Sequence, residues 1–171
     1  MRHLSSSACR QAGLTLIEVM VGLGIAAALA VTAAPHFSEY TTNSRLRASG
    51  NLLMSEALLA QSEAIKRNRT VRLTASSSTV QVLDMTVPGS PVVLRERSLA
   101  PGVTAAITTT TSGITTLDFG SEGRPVSFGT SVSIDLSMSG STCSSDLRCP
   151  GLRVDAGGAV KLCGDRTVSC T

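Results

Sequence analysis

The hydrophobic and polar positions of the chain first separate an apolar N-terminal run from the rest. Residues 14–34 form 21 largely apolar positions whose only charge is Glu18. A bilayer-spanning helix needs about 20 such residues, so this run has the length of a membrane segment. A carboxylate at the centre of a bilayer costs roughly 2.5–3.5 kcal/mol on insertion scales. Glu18 therefore requires a compensating interaction.

The residues that follow keep a helical period as far as residue 64. Apolar or small side chains recur on one stripe, and polar side chains lie largely off it. The pattern predicts one long helix that bends near Pro35, because a proline inside a helix removes a backbone hydrogen bond, and that loosens near Gly50. Two separate helices are the alternative. The stripe consists of Leu46, Leu53, Ala57, Leu58, Ala60 and Ala64.

From residue 70 onward, short alternations of apolar and polar residues are separated by turn residues, which is the pattern of β-strands. The aromatic content of 2% and the abundance of Ser, Thr, Gly and Val favour short strands around a thin core. Gly157 and Gly158 predict a hairpin within residues 152–163, because glycine supplies the positive φ of tight turns. Further strands are expected at 70–74, 79–83, 91–96, 103–109, 114–119 and 131–136.

Three interpretations compete for the N terminus. A secretory signal has a shorter apolar core, of about 7–15 residues. A plain signal anchor explains the length and the basic leader, but neither Glu18 nor the glycine that precedes the apolar run. The sequence GLTLIE at residues 13–18 resembles the class III signal of type IV pilins and type II secretion pseudopilins. This resemblance accounts for all of these features together.

The resemblance implies a defined processing and assembly chemistry. In that family, prepilin peptidase cuts after the glycine, which here is the bond between Gly13 and Leu14, and the new Leu14 amine is methylated. Glu18 then becomes the fifth residue of the mature chain. Its carboxylate is expected to pair with the N-terminal amine of a neighbouring subunit, which compensates its burial. Pro35 matches a helix-bending proline of the family, and Leu14 in place of Phe is more typical of a minor pilin or pseudopilin.

A second resemblance concerns the head. Residues 57–73, ALLAQSEAIKRNRTVRL, resemble the end of the stem helix and the first strand of the FimT/GspH-type family, and residues 117–163 resemble it more loosely. The implied fold is α+β and pilin-like, with a long N-terminal helix, membrane-spanning in its first half, packed on a C-terminal antiparallel β-sheet head. The implied domains are a prepilin leader at 1–13, a transmembrane helix at 14–34, a periplasmic part of the stem helix at 35–69 and a β-rich globular head at 70–171.

Four of the five cysteines lie in the last 29 residues, and the fifth, Cys9, lies in the leader. An even set in an exported domain indicates disulfides. Zinc is the competing interpretation, but the spacings are longer than those of usual ligand pairs and no histidine lies nearby. Four cysteines allow three connectivities. The pairing of Cys143 with Cys149 and of Cys163 with Cys170 is favoured.

The sequence contains no recognisable catalytic constellation. His3 lies in the leader and His36 lies beside Pro35, which leaves no Ser–His or Cys–His pair for the head. Asp118 and Asp135 are single acids at strand edges and are expected to be solvated. The prediction is a structural protein, not an enzyme, without cofactor or metal.

Nucleic-acid binding is a separate hypothesis. The net charge of +3 falls to near +1 when the leader is removed, which is not a global nucleic-acid signature. Some FimT-type minor pilins bind DNA through a C-terminal Gly-Arg-x-Arg motif, and GAVK at residues 158–161 matches its position with one cation left. Lys161, supplemented by Arg153 and Arg166, is the predicted DNA contact. Binding through two or three cations is expected to be weak and steeply salt dependent.

These resemblances predict a structural minor pilin that is incorporated into a type IV pilus and helps initiate its assembly. The alternatives are an H-type pseudopilin of the type II secretion pseudopilus and a DNA-binding minor pilin for natural transformation. The expected partners are prepilin peptidase, other major and minor pilins or pseudopilins, inner-membrane lipid and the assembly platform, with DNA as the weakest expectation. The expected location is a single pass in the inner membrane with the head in the periplasm, and then the pilus or pseudopilus.

Overall fold

The structure is a computed structural model that describes residues 14–87, 89–109, 115–126 and 129–168, without the side chains of residues 33–36. The predicted leader lies outside the described residues. The chain divides into two compact units, Met1–Ser38 and Glu39–Thr171.

The first unit contains the start of helix α1 (Leu16–Arg67). Thr15 begins this helix, because its Oγ1 accepts a hydrogen bond from the Glu18 N–H at 3.3 Å and its carbonyl oxygen accepts one from the Val19 N–H at 3.2 Å. This is half of a capping box. The large apolar side chains between residues 14 and 31 are exposed by 45–78%. Among the described residues, this segment therefore presents an exposed apolar surface.

Length and hydropathy do not single out one membrane-spanning helix among the described residues. The stretches Leu16–Thr32 and Phe37–Arg67 satisfy these criteria only when they are taken together as a bent pair. The transmembrane segment at residues 14–34 therefore stays a prediction.

In its described residues, the second unit carries eight strands after the end of α1. They form two antiparallel four-stranded sheets, ordered β3-β2-β1-β5 and β4-β6-β7-β8. The predicted pilin-like α+β class is confirmed, and the antiparallel head consists of two sheets. The strands are β1 (Val71–Ser76), β2 (Thr79–Asp84), β3 (Val92–Ser98), β4 (Val103–Thr109), β5 (Leu117–Phe119), β6 (Val132–Met138), β7 (Gly151–Val154) and β8 (Val160–Cys163).

The sequence alternations correspond to alternating burial in the central strands. Leu73 of β1, Val82 of β2 and Ile134 of β6 are each completely buried, and their sequence neighbours are less buried. The predicted hairpin also forms, as β7 and β8. Its turn is held by Asp155, whose Oδ1 accepts hydrogen bonds from the N–H groups of Gly157 and Ala159. Local sequence pattern therefore specifies most of the strands.

The second half of α1 is one side of the hydrophobic core. The predicted stripe is buried along its length except Leu58, which is 44% exposed. The helix runs through Gly50 without interruption, so the expected loosening at Gly50 is wrong. A Cβ on Gly50 would lie 3.2 Å from the Cβ of Pro150 and 3.4 Å from Leu162. The glycine is there because the second sheet approaches the helix closely.

Helix α1 ends at Arg67. Asn68 adopts a φ of 54°, the left-handed conformation that often follows a helix. The Arg69 N–H then donates to the carbonyl oxygen of Ala64 at 3.1 Å. Lys66 and Arg67 in the last turn complement the negative end of the helix dipole.

Gln61 of α1 joins the two sheets. Its Nε2 donates to the carbonyl oxygen of Gly123, after β5 of the first sheet, at 2.6 Å. It also donates to the carbonyl oxygen of Gly158, between β7 and β8 of the second sheet, at 2.8 Å. A Cβ on Gly158 would clash with the Gly123 carbonyl oxygen, and Gly158 has a φ of +89°. Gly158 is therefore required by packing and by backbone conformation.

Replacing this glycine tests the junction. Gly158→Ala is expected to lower the free energy of unfolding by about 2–4 kcal/mol, because it combines a disfavoured backbone conformation with a steric clash. Gly164→Ala is the matched control, since a Cβ there meets nothing within 4 Å. Urea unfolding of the full chain in detergent, followed by circular dichroism, measures both. Equal midpoints for the two variants would contradict this account of Gly158.

Candidate functional site

The predicted processing and assembly residues lie at the start of α1. Gly13 is outside the described residues, and Leu14 is 74% exposed. Glu18 lies in the first turn and is exposed. No partner of its carboxylate is present in the described part of the chain, so the side chain is available to another molecule. The backbone at Pro35 is helical, and its side chain lies outside the described part of the structure.

The disulfide between Cys143 and Cys149 is present, in the loop between β6 and β7. This confirms the first of the two predicted pairs. Cys163, at the end of β8, is also disulfide-bonded. Its predicted partner Cys170 lies outside the described residues. Within the described ranges, no group of three or more His, Cys, Asp or Glu side chains is placed to hold a metal ion.

Asn43 of α1 anchors the disulfide loop. Its Nδ2 donates to the carbonyl oxygen of Asp146 at 2.7 Å, and its Oδ1 accepts from the Arg148 N–H at 3.0 Å. Both groups of the amide are therefore used to fix a loop more than 100 residues away along the chain. The sequence gives no signal for this contact, because a polar residue on the exposed side of a helical stripe is ordinarily solvated.

Asp135 of β6 brings two of the three candidate DNA-binding cations together. Arg153 Nη1 lies 2.7 Å from its Oδ1, and Arg166 Nη1 lies 3.5 Å from its Oδ2. The expectation that Asp135 is solvated is wrong, since its side chain is 19% exposed and paired with two arginines. The carboxylate offsets one of the two positive charges.

Lys161 is placed differently. It lies directly opposite Arg153 across β7 and β8, and its side chain is exposed. No ion pair of Lys161 is present among the residues that the structure describes. Lys161 and Arg153 line an open depression of about 550 Å³ on the second sheet. Lys161 is therefore the cation of the three that is most available to an anionic ligand.

Arg166 has a structural role. Its backbone N–H donates to the carbonyl oxygen of Cys149 at 2.8 Å, and its Nη2 lies 3.3 Å from the Sγ of Cys143. Together with Asp135, these contacts hold the loop after β8 against the disulfide. The motif match at residues 158–161 is also partly structural, because Gly158 is needed at the junction with Gln61.

Substitutions separate the structural cations from the available one. Arg166→Ala and Arg153→Ala are each expected to destabilise the fold by about 1–2 kcal/mol, because they leave the half-buried Asp135 with an incomplete set of partners. Lys161→Ala is expected to leave stability unchanged within about 0.5 kcal/mol. Urea midpoints of the three variants measure this. Equal destabilisation by Lys161→Ala would show that its charge is also structurally engaged.

Asp118 of β5 is paired with an arginine, so the expectation that it is solvated is also wrong. The Arg72 guanidinium of β1 binds it with two hydrogen bonds of 2.7 Å each. Arg72 and Asp118 are register partners across the two strands. The hydrogen bonds with Asp118 raise the pKa of Arg72 above its ordinary value. The pair fastens the short strand β5 to the sheet.

Asp84, at the end of β2, connects the sheet to the end of α1. It is 7% exposed and accepts hydrogen bonds from the hydroxyl and the N–H of Thr86. Arg67 Nη1 lies 3.3 Å from its Oδ2. The Thr86 hydrogen bonds, and then the Arg67 charge, lower the pKa of the Asp84 carboxyl below its usual value of 3.8.

The depressed pKa makes part of the stability pH dependent. Because the folded-state pKa lies below the unfolded-state value, Asp84 stabilises the fold above about pH 5, and this contribution is lost as the pH falls through the folded-state pKa. Asp84→Asn is expected to lower the urea midpoint at pH 7 and to reduce the loss of stability between about pH 5 and pH 2. An unchanged pH profile in the variant would contradict this role.

The fold and the positions of these residues define a class of protein. A long N-terminal helix forms the core of an antiparallel head, and an exposed apolar segment with a single carboxylate precedes that core. This is the architecture of a pilin-like filament subunit. Residues 9–34 match the prokaryotic N-terminal methylation motif. Residues 49–158 match the family described as type II transport protein GspH. The second match covers more than half of the chain, and the chain belongs to this family.

Solved structures share the fold. The type IV minor pilin FimU of Pseudomonas aeruginosa aligns with a TM-score of 0.60 and 20% identity, over 77% of this chain and 99% of FimU. The minor pseudopilin EpsH from the type 2 secretion system of Vibrio cholerae aligns with a TM-score of 0.55 and 13% identity, over 70% of this chain and 96% of EpsH. A search of curated proteins gave no significant match. At these identities the similarity establishes a common fold.

Proposed function

We propose that this chain is a structural minor pilin that is incorporated into a type IV pilus and helps initiate its assembly. The observation that carries the proposal is the continuity of an N-terminal methylation motif with the helix that forms the core of a pilin-like head. The fold similarity to FimU, which covers nearly all of that minor pilin, supports the choice of a type IV pilus.

The proposed maturation begins at the leader. Prepilin peptidase cuts between Gly13 and Leu14, and the Leu14 amine is methylated. Residues 14–34 hold the subunit in the inner membrane, and the head lies in the periplasm until the subunit enters the filament. The exposed apolar side chains of this segment are the ones that lipid, and later neighbouring subunits, would cover.

The proposed assembly step is a charge pairing in a low-dielectric environment. An isolated carboxylate there is costly, and it is stabilised when a cation with good geometry approaches it. We expect the Glu18 carboxylate to pair with the Leu14 amine of a neighbouring subunit. We also expect the chain to contact other pilins at the assembly platform. Its free carboxylate and its place in the first turn of α1 support this role.

A type II secretion pseudopilin is the second candidate. The description of the matching family as a type II transport protein favours it, and the fold is also that of EpsH. The two candidates make the same use of Gly13, Leu14 and Glu18. They differ in the filament that the subunit joins, and therefore in what fails when the subunit is missing.

Deleting the gene separates these candidates. In a clean deletion strain complemented by wild type, the proposal expects loss of sheared surface pili with intact secretion of type II substrates. Intact pili with lost secretion would replace it with the pseudopilin candidate. Normal pili together with normal secretion would contradict both.

DNA uptake is a third candidate, supported by one exposed lysine. Lys161 is available, whereas Arg153 and Arg166 are engaged by Asp135. Two or three phosphate contacts would give weak, steeply salt-dependent binding. A gel shift of the full chain in detergent at low salt, abolished by Lys161→Ala, would support this candidate. A shift that Lys161→Ala leaves unchanged would remove this residue from it.

Removing the carboxylate of Glu18 tests the assembly step. Glu18→Ala is expected to insert into the membrane as wild type does, because a cost of insertion has been removed. Its incorporation into sheared filaments is expected to fall at least about tenfold, because the buried amine of the neighbour loses its partner. Immunoblots of membrane and filament fractions measure both. Glu39→Ala, an exposed glutamate further along α1, is the matched control. Normal incorporation of Glu18→Ala would rule out this role.

A further inference from the structure

Strand β3 is an exposed edge of the first sheet. Six of its seven side chains are exposed, with Leu94 as the exception. Its register with β2 pairs Val92 with Asp84, Arg95 with Val82 and Arg97 with Val80. Because directly opposed residues share a face of a sheet, Val92, Arg95 and Arg97 lie on the face that is buried in β2. In β3 this face is largely exposed, although Arg95 and Arg97 contact α1.

Two arginines of β3 converge on one buried carboxylate. Arg95 Nε lies 3.2 Å from Glu56 Oε1 of α1, and Arg97 Nε lies 4.0 Å from the same oxygen. The Glu56 side chain is 4% exposed, and its Oε2 has no hydrogen-bond partner among the described residues. The arginine side chains remain 42% and 53% exposed. Two guanidinium groups and one carboxylate leave one net positive charge on an open face.

The backbone of this edge is suited to strand addition. A register shift interrupts the pairing with β2 near Leu94, which is a common way of protecting an edge. Residues 95–98 nevertheless keep a regular register with β2. Among the described residues, no strand pairs with β3 on the side away from β2. The N–H and C=O groups on that side are the ones on which an extended segment can add as a further strand.

We propose that β3 docks an extended acidic segment of a different subunit of the same filament. The segment adds to the first sheet beside β3 and places a carboxylate on the guanidinium of Arg97. This assignment rests on the proposed function, because it requires that the chain be part of a filament. The single excess positive charge between Arg95, Arg97 and Glu56 is what selects an acidic partner.

The arrangement disfavours a second copy of this chain as the partner. Consider two copies of β3 that pair antiparallel, with the helix-facing sides of both strands on the same face of the joint sheet. If this pairing is centred on residue 95, 96 or 97, an arginine of one copy lies opposite an arginine of the other. Like charges directly opposite each other destabilise strand pairing. An acidic strand from another subunit removes this repulsion and uses the same backbone groups.

Photo-crosslinking in the native host tests the docking. A photo-crosslinking amino acid replaces Val92, which is 59% exposed and lies on the helix-facing side. The expected adduct joins this chain to a different filament subunit, at a segment that contains Asp or Glu. Arg97→Gln is expected to lower the adduct yield at least about fivefold. Ser98→Gln, which puts the same side chain on the opposite face of the same strand, is expected to leave the yield unchanged.

A second measurement keeps Arg97 and uses only the photo-crosslinking residue at position 92, so it does not depend on the stability of Arg97→Gln. In isolated membranes, raising NaCl from about 0.05 M to 0.5 M is expected to lower the adduct yield several-fold, because the contact is partly exposed and charged. A yield that neither Arg97→Gln nor salt reduces would overturn the proposal. An adduct with a second copy of this chain would also overturn it.

Detection of the chain in sheared filaments is measured in parallel. If the chain is present in filaments and position 92 gives no adduct with another subunit, the docking proposal fails and the proposed function stands. If the chain is absent from every filament fraction, the proposed function fails, and the docking proposal fails with it.

Discussion

Both sheets of the head are joined through one stretch of helix α1, and the rest of the structure depends on this shared packing. Small residues at Ala57, Ala60 and Ala64 are completely buried, which allows the strands to approach the helix closely. Gln61 lies among them and donates one hydrogen bond to a turn of each sheet. Neither sheet has many aromatic side chains with which to build a thick core of its own. The helix therefore supplies the missing layer for both of them.

Charged groups occupy the margins of this core. Asp84, Asp118 and Asp135 each face one or two arginines from another element, so the charges of the head are largely used to fasten strands and loops. The surfaces that we propose for other molecules lie where this compensation is incomplete. They are the carboxylate of Glu18, the exposed Lys161, and the edge strand β3 with its excess positive charge.

Much of this fold can be predicted from the sequence pattern, whereas the ion pairs cannot. The helical stripe, the hairpin at residues 152–163 and the Cys143–Cys149 disulfide arise from neighbours in the chain, which periodicity and spacing report directly. Asn43 with Asp146, and Gln61 with Gly158, join residues about 100 positions apart. Single acids such as Asp135 have no periodic signature, so their partners become evident only when the strands are in register. The predicted processing motif can be recognised from the sequence alone, because its residues are adjacent in the chain.

Native-state hydrogen exchange of the full chain in detergent tests the shared core most directly. Amides that open in one cooperative unit share one opening free energy. If the helix is the common layer, the slowest amides of β1, of β6 and of α1 between residues 46 and 64 are expected to open with the same free energy, close to that of global unfolding. If the second sheet opened at a distinctly lower free energy while β1 and α1 stayed protected, the head would consist of two independent units and this account would be wrong.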